Sequence, residues 1–200
     1  VCNCSITQNG NTYAINALQG TEPAAVFYDY GNPSGSSANT GLELPNALIL
    51  FLYEDINTGI ISLFFIADIT NDGSGGSLQF EFNCAPPNSF ISVEDDAGEF
   101  SGSPPLFTGN WSWSPCCTDG GVIENIGCNS GMNLDLLIAS GIDSIVWLTG
   151  DIADPTHILL DLNGDDIAIN CGSGGVCCPV NFDTNMNSSA PTCPDTPNGS

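Results

Sequence analysis

Asn46-Ala-Leu-Ile-Leu-Phe-Leu-Tyr-Glu-Asp-Ile-Asn-Thr-Gly-Ile-Ile-Ser-Leu-Phe-Phe-Ile-Ala-Asp-Ile69 is the stretch that decides the fold. Two apolar runs, Ala47 to Tyr53 and Ile60 to Ile66, flank Glu54 to Gly59, whose acidic, Asn and Gly residues suit a tight reversal. The pattern is that of a β-hairpin. Successive side chains of an extended chain point to opposite faces, so Leu48, Leu50 and Leu52 share one face and Ile49, Phe51 and Tyr53 the other. Both sets are apolar, whereas a strand with one face in water alternates apolar with polar. Both faces of the ribbon therefore require cover. A second sheet of the same chain can supply one cover; the other is expected from a helix, a long loop or another molecule.

Strand-like segments with turn punctuation continue on both sides: Thr12 to Leu18, Ala24 to Tyr30, Ser77 to Phe82, Phe90 to Glu94, Leu106 to Trp113, Ser144 to Thr149, Thr156 to Leu162 and Asp166 to Asn170. Ser77-Leu-Gln-Phe-Glu-Phe82 alternates, which places Leu78, Phe80 and Phe82 in a core and Gln79 and Glu81 in water. Met132 to Ala139 fits a short helix through Leu134, Leu137 and Ile138 or a strand through Leu134, Leu136 and Ile138, with a lean to strand. Gly31 to Gly41 and Asn71 to Ser77, rich in Gly, Ser and Asn, read as loops. The expected fold is all-β, an antiparallel β-sandwich or jelly roll of about ten strands stapled by disulfides. Residues 1–10 form a cysteine-bearing arm, 11–180 the sandwich, and 181–200 a polar, Pro-rich tail.

A chain of 200 residues with 42% hydrophobic content carries enough apolar mass for a sizeable core. Its charge is one-sided: 23 Asp and Glu, no Lys or Arg, and a formal net charge of -23. Apart from any pair that His157 makes when protonated, side-chain salt bridges have no cation. Each carboxylate is then solvated, hydrogen-bonded to backbone N–H groups, protonated or bridged by a metal. Such a surface repels DNA, RNA and anionic membranes, because phosphate binding relies on Lys and Arg displacing counterions. It also opposes contact between copies unless salt, divalent cations, covalent bonds or a large apolar interface hold them. Proteases that require Lys or Arg find no cleavage site.

Ten cysteines, Cys2, Cys4, Cys84, Cys116, Cys117, Cys128, Cys171, Cys177, Cys178 and Cys193, point to an oxidising compartment and a disulfide framework. With a start at Val1 and no apolar run of about 18 residues, the chain reads as a mature secreted one, extracellular or at the cell surface. Neighbours on an extended strand face opposite ways, so Cys116 and Cys117 are expected to take different partners, as are Cys177 and Cys178. Cys2 and Cys4 share one face of the arm. Five intrachain bridges are one outcome; in the other, a cysteine of the arm or tail bonds to another subunit. No C-x-x-C-H and no paired C-x-x-C knuckle occurs, and neither haem nor nucleotide is expected.

Asp161-Leu-Asn163-Gly-Asp165-Asp166 sets oxygen ligands at alternate positions, the start of a calcium loop of the EF-hand kind. It departs from that pattern at the sixth position, where Asp166 replaces Gly, and at the twelfth, where Gly172 replaces a bidentate Glu. Further acidic clusters are Asp68, Asn71 and Asp72; Glu94, Asp95, Asp96 and Glu99; and Asp151 with Asp154. Hard oxygen ligands suit Ca2+ better than zinc or copper. Turn chemistry alone also explains them. Asn3, Asn110, Asn187 and Asn198 sit in N-x-S sequons, acceptors in a host that glycosylates. No G-x-S-x-G elbow accompanies His157, and no motif fixes a catalytic carboxylate pair, so no catalytic residue is assigned. Trp111 and Trp113 suit either sugar stacking or a sandwich core, the core being the commoner use.

The passage Asn110-Trp-Ser-Trp-Ser-Pro-Cys-Cys-Thr-Asp-Gly-Gly-Val-Ile123, with Asn71 to Ser77 and Glu94 to Glu99 upstream, resembles adhesin-like β-domains of large secreted bacterial surface proteins. Cysteines near the ends are similar to those of disulfide-linked bacterial appendage subunits, and that resemblance implies covalent assembly without carrying over any functional residue. The expected function is a structural subunit of an extracellular filament, sheath or surface layer. Copies of the chain are its partners, meeting through the apolar face near Leu48 to Ile66 and locked by Cys2 and Cys4 or Cys193. The alternative is a monomeric, Ca2+-dependent adhesion or carbohydrate-binding module.

Overall fold

The computed structural model describes residues 3–31, 37–70 and 72–172. In chain order its elements are β1 (Cys4–Gln8), β2 (Asn11–Ile15), β3 (Leu18–Gly20), α1 (Ala24–Tyr28), β4 (Ala47–Asp55), β5 (Ile60–Ala67), β6 (Gly76–Asn83) and β7 (Phe90–Glu94). There follow β8 (Phe100–Ser103), β9 (Leu106–Trp113), β10 (Asp119–Glu124), β11 (Ser130–Ser140), β12 (Ser144–Asp151), β13 (Asp154–Leu160) and β14 (Ile167–Cys171). They make a β-sandwich. One sheet has the order β2-β1-β14-β11-β6-β9-β8, the other β13-β12-β4-β5-β10-β7, with β3 joined to β4. Pairing is antiparallel except that β3 and β12 run parallel to β4.

The β4–β5 hairpin lies at the centre of the second sheet. Asp55 closes its turn, accepting from the Asn57 N–H at 2.9 Å and from Thr58 Oγ1 at 2.8 Å, while Gly59 takes the left-handed φ of +73° that ends the reversal. Leu48, Leu50 and Leu52 stand opposite Ala67, Phe65 and Leu63 and face the first sheet. There Phe65 stacks on Phe80 at 5.0 Å, and Trp111 meets Phe80 edge-on at 4.8 Å.

The other face of the ribbon is closed by the chain itself, which corrects the expectation that a neighbour covers it. Ile49, Phe51, Phe64 and Ile66 are fully buried against α1 and the segment that follows it, through Tyr28, Phe27, Ala38, Leu42 and Leu44. Phe51 stacks on Phe64 at 4.6 Å, and Phe27 on Tyr53 at 4.7 Å. Leaving those four residues in water would forgo on the order of 6–12 kcal/mol of burial, enough to hold a short cover in place. The cover is fastened at Thr118, whose N–H donates to Ser37 Oγ (3.1 Å) and whose Oγ1 accepts from the Ala38 N–H (2.8 Å).

Three further expectations are revised. Ala24 to Tyr30 is not a strand: Pro23-Ala-Ala starts one turn of helix that stops at Asp29 (φ +51°), and the helical preference of two alanines after a proline outweighs Val-Phe-Tyr. The arm of residues 1–10 contains an interior strand, since β1 pairs with both β2 and β14 and turns Cys4, Ile6 and Gln8 inward. Thr12 to Leu18 breaks into β2 and β3 where the chain crosses between sheets, with Asn16 held through both its N–H and its C=O by Thr149 Oγ1. Met132 to Ala139 lies within the strand β11, the alternative favoured above. The tail, residues 181–200, lies outside the described residues.

Candidate functional site

Two places concentrate chemistry. The first is where the ends of the described fold meet. β1 and β14 are antiparallel neighbours with Cys4 opposite Cys171, and those residues are joined by a disulfide that spans a sequence separation of 167. Inward alternation on both strands, with Ile6 and Ile169 fully buried, places the sulfurs between the sheets. Cys4 is thereby committed within the chain, against the expectation that it helps lock a neighbour. Cys84 and Cys128 are also disulfide-bonded. Cys116 and Cys117 bond to each other, contrary to the opposite-face argument. They stand not on a strand but in the turn after β9, where the Cys117 N–H donates to the Ser114 carbonyl at 2.9 Å. Cys2, Cys177, Cys178 and Cys193 lie outside the described residues.

The second place is an acidic cluster beneath the cover, at the edge where β7 and β8 end their sheets. Asp95 and Glu99 sit on the loop crossing from β7 to β8, Asp119 opens β10, and Tyr28 closes α1. Tyr28 Oη donates to Asp95 Oδ2 at 2.8 Å. Asp119 accepts from the Ser112 N–H (2.9 Å) and the Gly120 N–H (2.8 Å), and its carboxyl lies within hydrogen-bond reach of Glu99. Among the described residues no group donates to the buried Asp95 Oδ1 and Glu99 Oε2. Burial first, with Asp96 and Glu99 adding to it against the Tyr28 hydrogen bond, pushes the Asp95 carboxyl up to about 7. Burial and then Glu99 push Asp119 up to about 8. Burial, reinforced by Asp95, also raises the Tyr28 phenol. Chemically, such a cluster can hold protons at a pH where exposed carboxylates have lost theirs.

The residues expected to ligate calcium form the turn between β13 and β14. Asp161 Oδ1 accepts from the Asn163 N–H (2.9 Å), and the β1–β2 corner closes the loop: Gln8 Nε2 donates to the Asp161 and Asp165 carbonyls, both at 2.9 Å, and the Asp165 N–H donates to Asn9 Oδ1 at 2.8 Å. Asp166 points elsewhere, accepting from Asn133 Nδ2 (2.6 Å). It lies beside Asp135, whose carboxyl is raised by burial and then by Asp166. Asp135 had no signal in the sequence, because only the β11–β14 pairing brings it there. Among the described residues no three His, Cys, Asp or Glu side chains converge to hold one ion. Of the sequons, Asn3 and Asn110 are exposed, and Asn187 and Asn198 lie outside the described residues. Trp111, Trp113 and Trp147 are buried in the sandwich core, so none presents a face to a sugar ring. His157 is exposed on β13.

Beside the Cys4–Cys171 bridge a cleft of about 280 Å³ opens between the sheets. Its floor is apolar, with Ala17, Leu52 and Ile61, and its carboxylate, Glu54, already accepts from Gln19 Nε2 at 2.6 Å. In comparisons with known proteins, no family model matches the chain, and no curated protein or solved structure matches it significantly.

Proposed function

We propose that this chain is a structural subunit of an extracellular filament, sheath or surface layer, made for mechanical and chemical endurance and not for turnover. One observation carries the reading: the chain enters and leaves the described fold at adjacent, covalently joined residues, Cys4 and Cys171. A pull applied through the chain on either side has a covalent path through that bridge, so the span between residues 4 and 171 cannot lengthen while the bridge is intact. A domain strung between neighbours benefits from such a bypass, whereas a freely diffusing one gains only ordinary stability from it. Disulfides at all six described cysteines support an oxidising, extracellular setting. The lack of Lys and Arg removes a whole class of protease sites.

Copies of the chain are the proposed partners. Because the outer face of β4–β5 is sealed, contacts between copies are assigned to the segments flanking residues 4–171, which carry Cys2 on one side and Cys177, Cys178 and Cys193 on the other. Covalent linkage would also hold subunits that each carry a formal charge of -23. Native material from the producing cells decides the matter. Negative-stain microscopy is expected to show regular polymers, and non-reducing electrophoresis a ladder that collapses on reduction. Isolated globules with a clean monomer band would instead favour an adhesion module.

A further inference from the structure

The acidic cluster lies where three parts of the molecule meet: the cover through Tyr28, the β7–β8 loop through Asp95 and Glu99, and β10 through Asp119. Asp95 is 4% exposed, yet among the described residues its Oδ1 has no donor, and the buried Glu99 Oε2 has none either. A buried carboxylate oxygen with no donor is costly, and elsewhere in proteins Lys or Arg usually relieves it. Here the chain has neither. Among the described residues, the charged or titratable groups facing the cluster are Tyr28 from α1, Glu43 from the cover, Asp96 from the loop and the three carboxyls themselves. His157 is on β13, at the opposite edge of that sheet. Every neighbour is acidic or neutral, so the counter-charge must come from solution.

We propose that Asp95 and Asp119, packed beside Glu99, form a proton-operated lock that fastens the cover to the sandwich edge, closed while Asp95 and Asp119 hold their protons and loosened when they ionise. In the closed state a proton on Asp119 lets its carboxyl donate to Glu99, and a proton on Oδ1 keeps Asp95 neutral while Oδ2 accepts from Tyr28. Raising the pH removes those protons to water, and the like charges of Asp95 and Asp119 then share a site with no cation. The sign follows from the raised carboxyls. Against an unfolded value of about 3.9, folded values of about 7 for Asp95 and about 8 for Asp119 mean that the folded chain holds more protons. The contribution is complete below about pH 4 and is lost as pH rises through about 7–8.

Two amides report the lock: Asn39, whose N–H donates to the Tyr28 carbonyl at 3.0 Å, and Asn110, whose N–H donates to the Glu99 carbonyl at 2.8 Å. After correction for intrinsic exchange, hydrogen exchange of the native protein should show their opening equilibrium growing up to ~10-fold per pH unit for each proton released, between about pH 5 and 8. Asp119→Asn and Asp95→Asn, which keep the shape without the charge, should flatten that rise and leave both amides better protected than wild type above pH 8. Unchanged profiles in the variants, or a flat wild-type profile, would overturn the proposal. Should the variants fail to fold, infrared spectroscopy of the wild type decides, a protonated-carboxyl band near neutral pH supporting the lock and its absence refuting it. Calcium chloride at matched ionic strength should not restore protection above pH 8; if it does, a metal and not a proton is the counter-charge, and the proposal fails.

Discussion

Asp68 shows what a carboxylate does in a chain with no cationic side chain. It has no exposed surface (0%) and accepts from the Asn46 N–H (2.8 Å), Trp113 Nε1 (2.9 Å) and Ser74 Oγ (3.2 Å). Its oxygens thus tie the start of β4 to the end of β9. Asp68→Ala leaves the buried indole N–H unpaired and should cost about 2–4 kcal/mol in chemical denaturation. Gly120 is constrained differently, since a Cβ there would overlap the Phe65 carbonyl oxygen and Tyr28 Oη. Gly120→Ala should therefore cost about 1–3 kcal/mol by the same measurement. The sequence shows Trp111 and Trp113 as core candidates through their period of two, and the structure buries both. It does not separate Asp68, Asp95 and Asp119 from solvated turn carboxylates, because their burial depends on strands distant in sequence closing over them. The one available signal is compositional: without Lys or Arg, carboxylates that meet must find a proton, a metal or backbone donors.

At the scale of elements, local pattern sufficed where packing agreed with it. The two runs of the central hairpin, β7 and β9 fall where alternation and turn residues place them. β10 was obscured by Gly120-Gly121, poor strand formers that are required because Tyr28 and Phe100 press against the backbone there. The covering helix was hidden by its brevity, five residues whose aromatic half also suits a strand. That both faces of the ribbon need cover was legible; which molecule supplies the second cover was not, since residues 24–44 carry no long apolar periodicity. At the 161–166 loop the spacing suits a calcium site, and Gln8 and Asn9 satisfy the loop's backbone with no ion. Removing divalent cations with EDTA is accordingly expected to leave the melting midpoint unchanged. A clear fall would show that an ion completes the loop.

At the scale of the molecule, a self-covered sandwich and a covalent closure at its ends give one physical account. On the proposed reading, copies that each carry a net charge of -23 and whose ribbon is sealed by the chain itself would be linked through the chain's continuation on both sides of the Cys4–Cys171 bridge. Stretching single molecules from anchors at Val1 and Ser200 tests this most directly. With disulfides intact, the account predicts that the span from residue 4 to residue 171 releases no length at forces that unfold ordinary domains. After reduction the same pull should release up to ~600 Å, the extended reach of a chain separation of 167 residues. Release of that length from the oxidised protein would contradict the account.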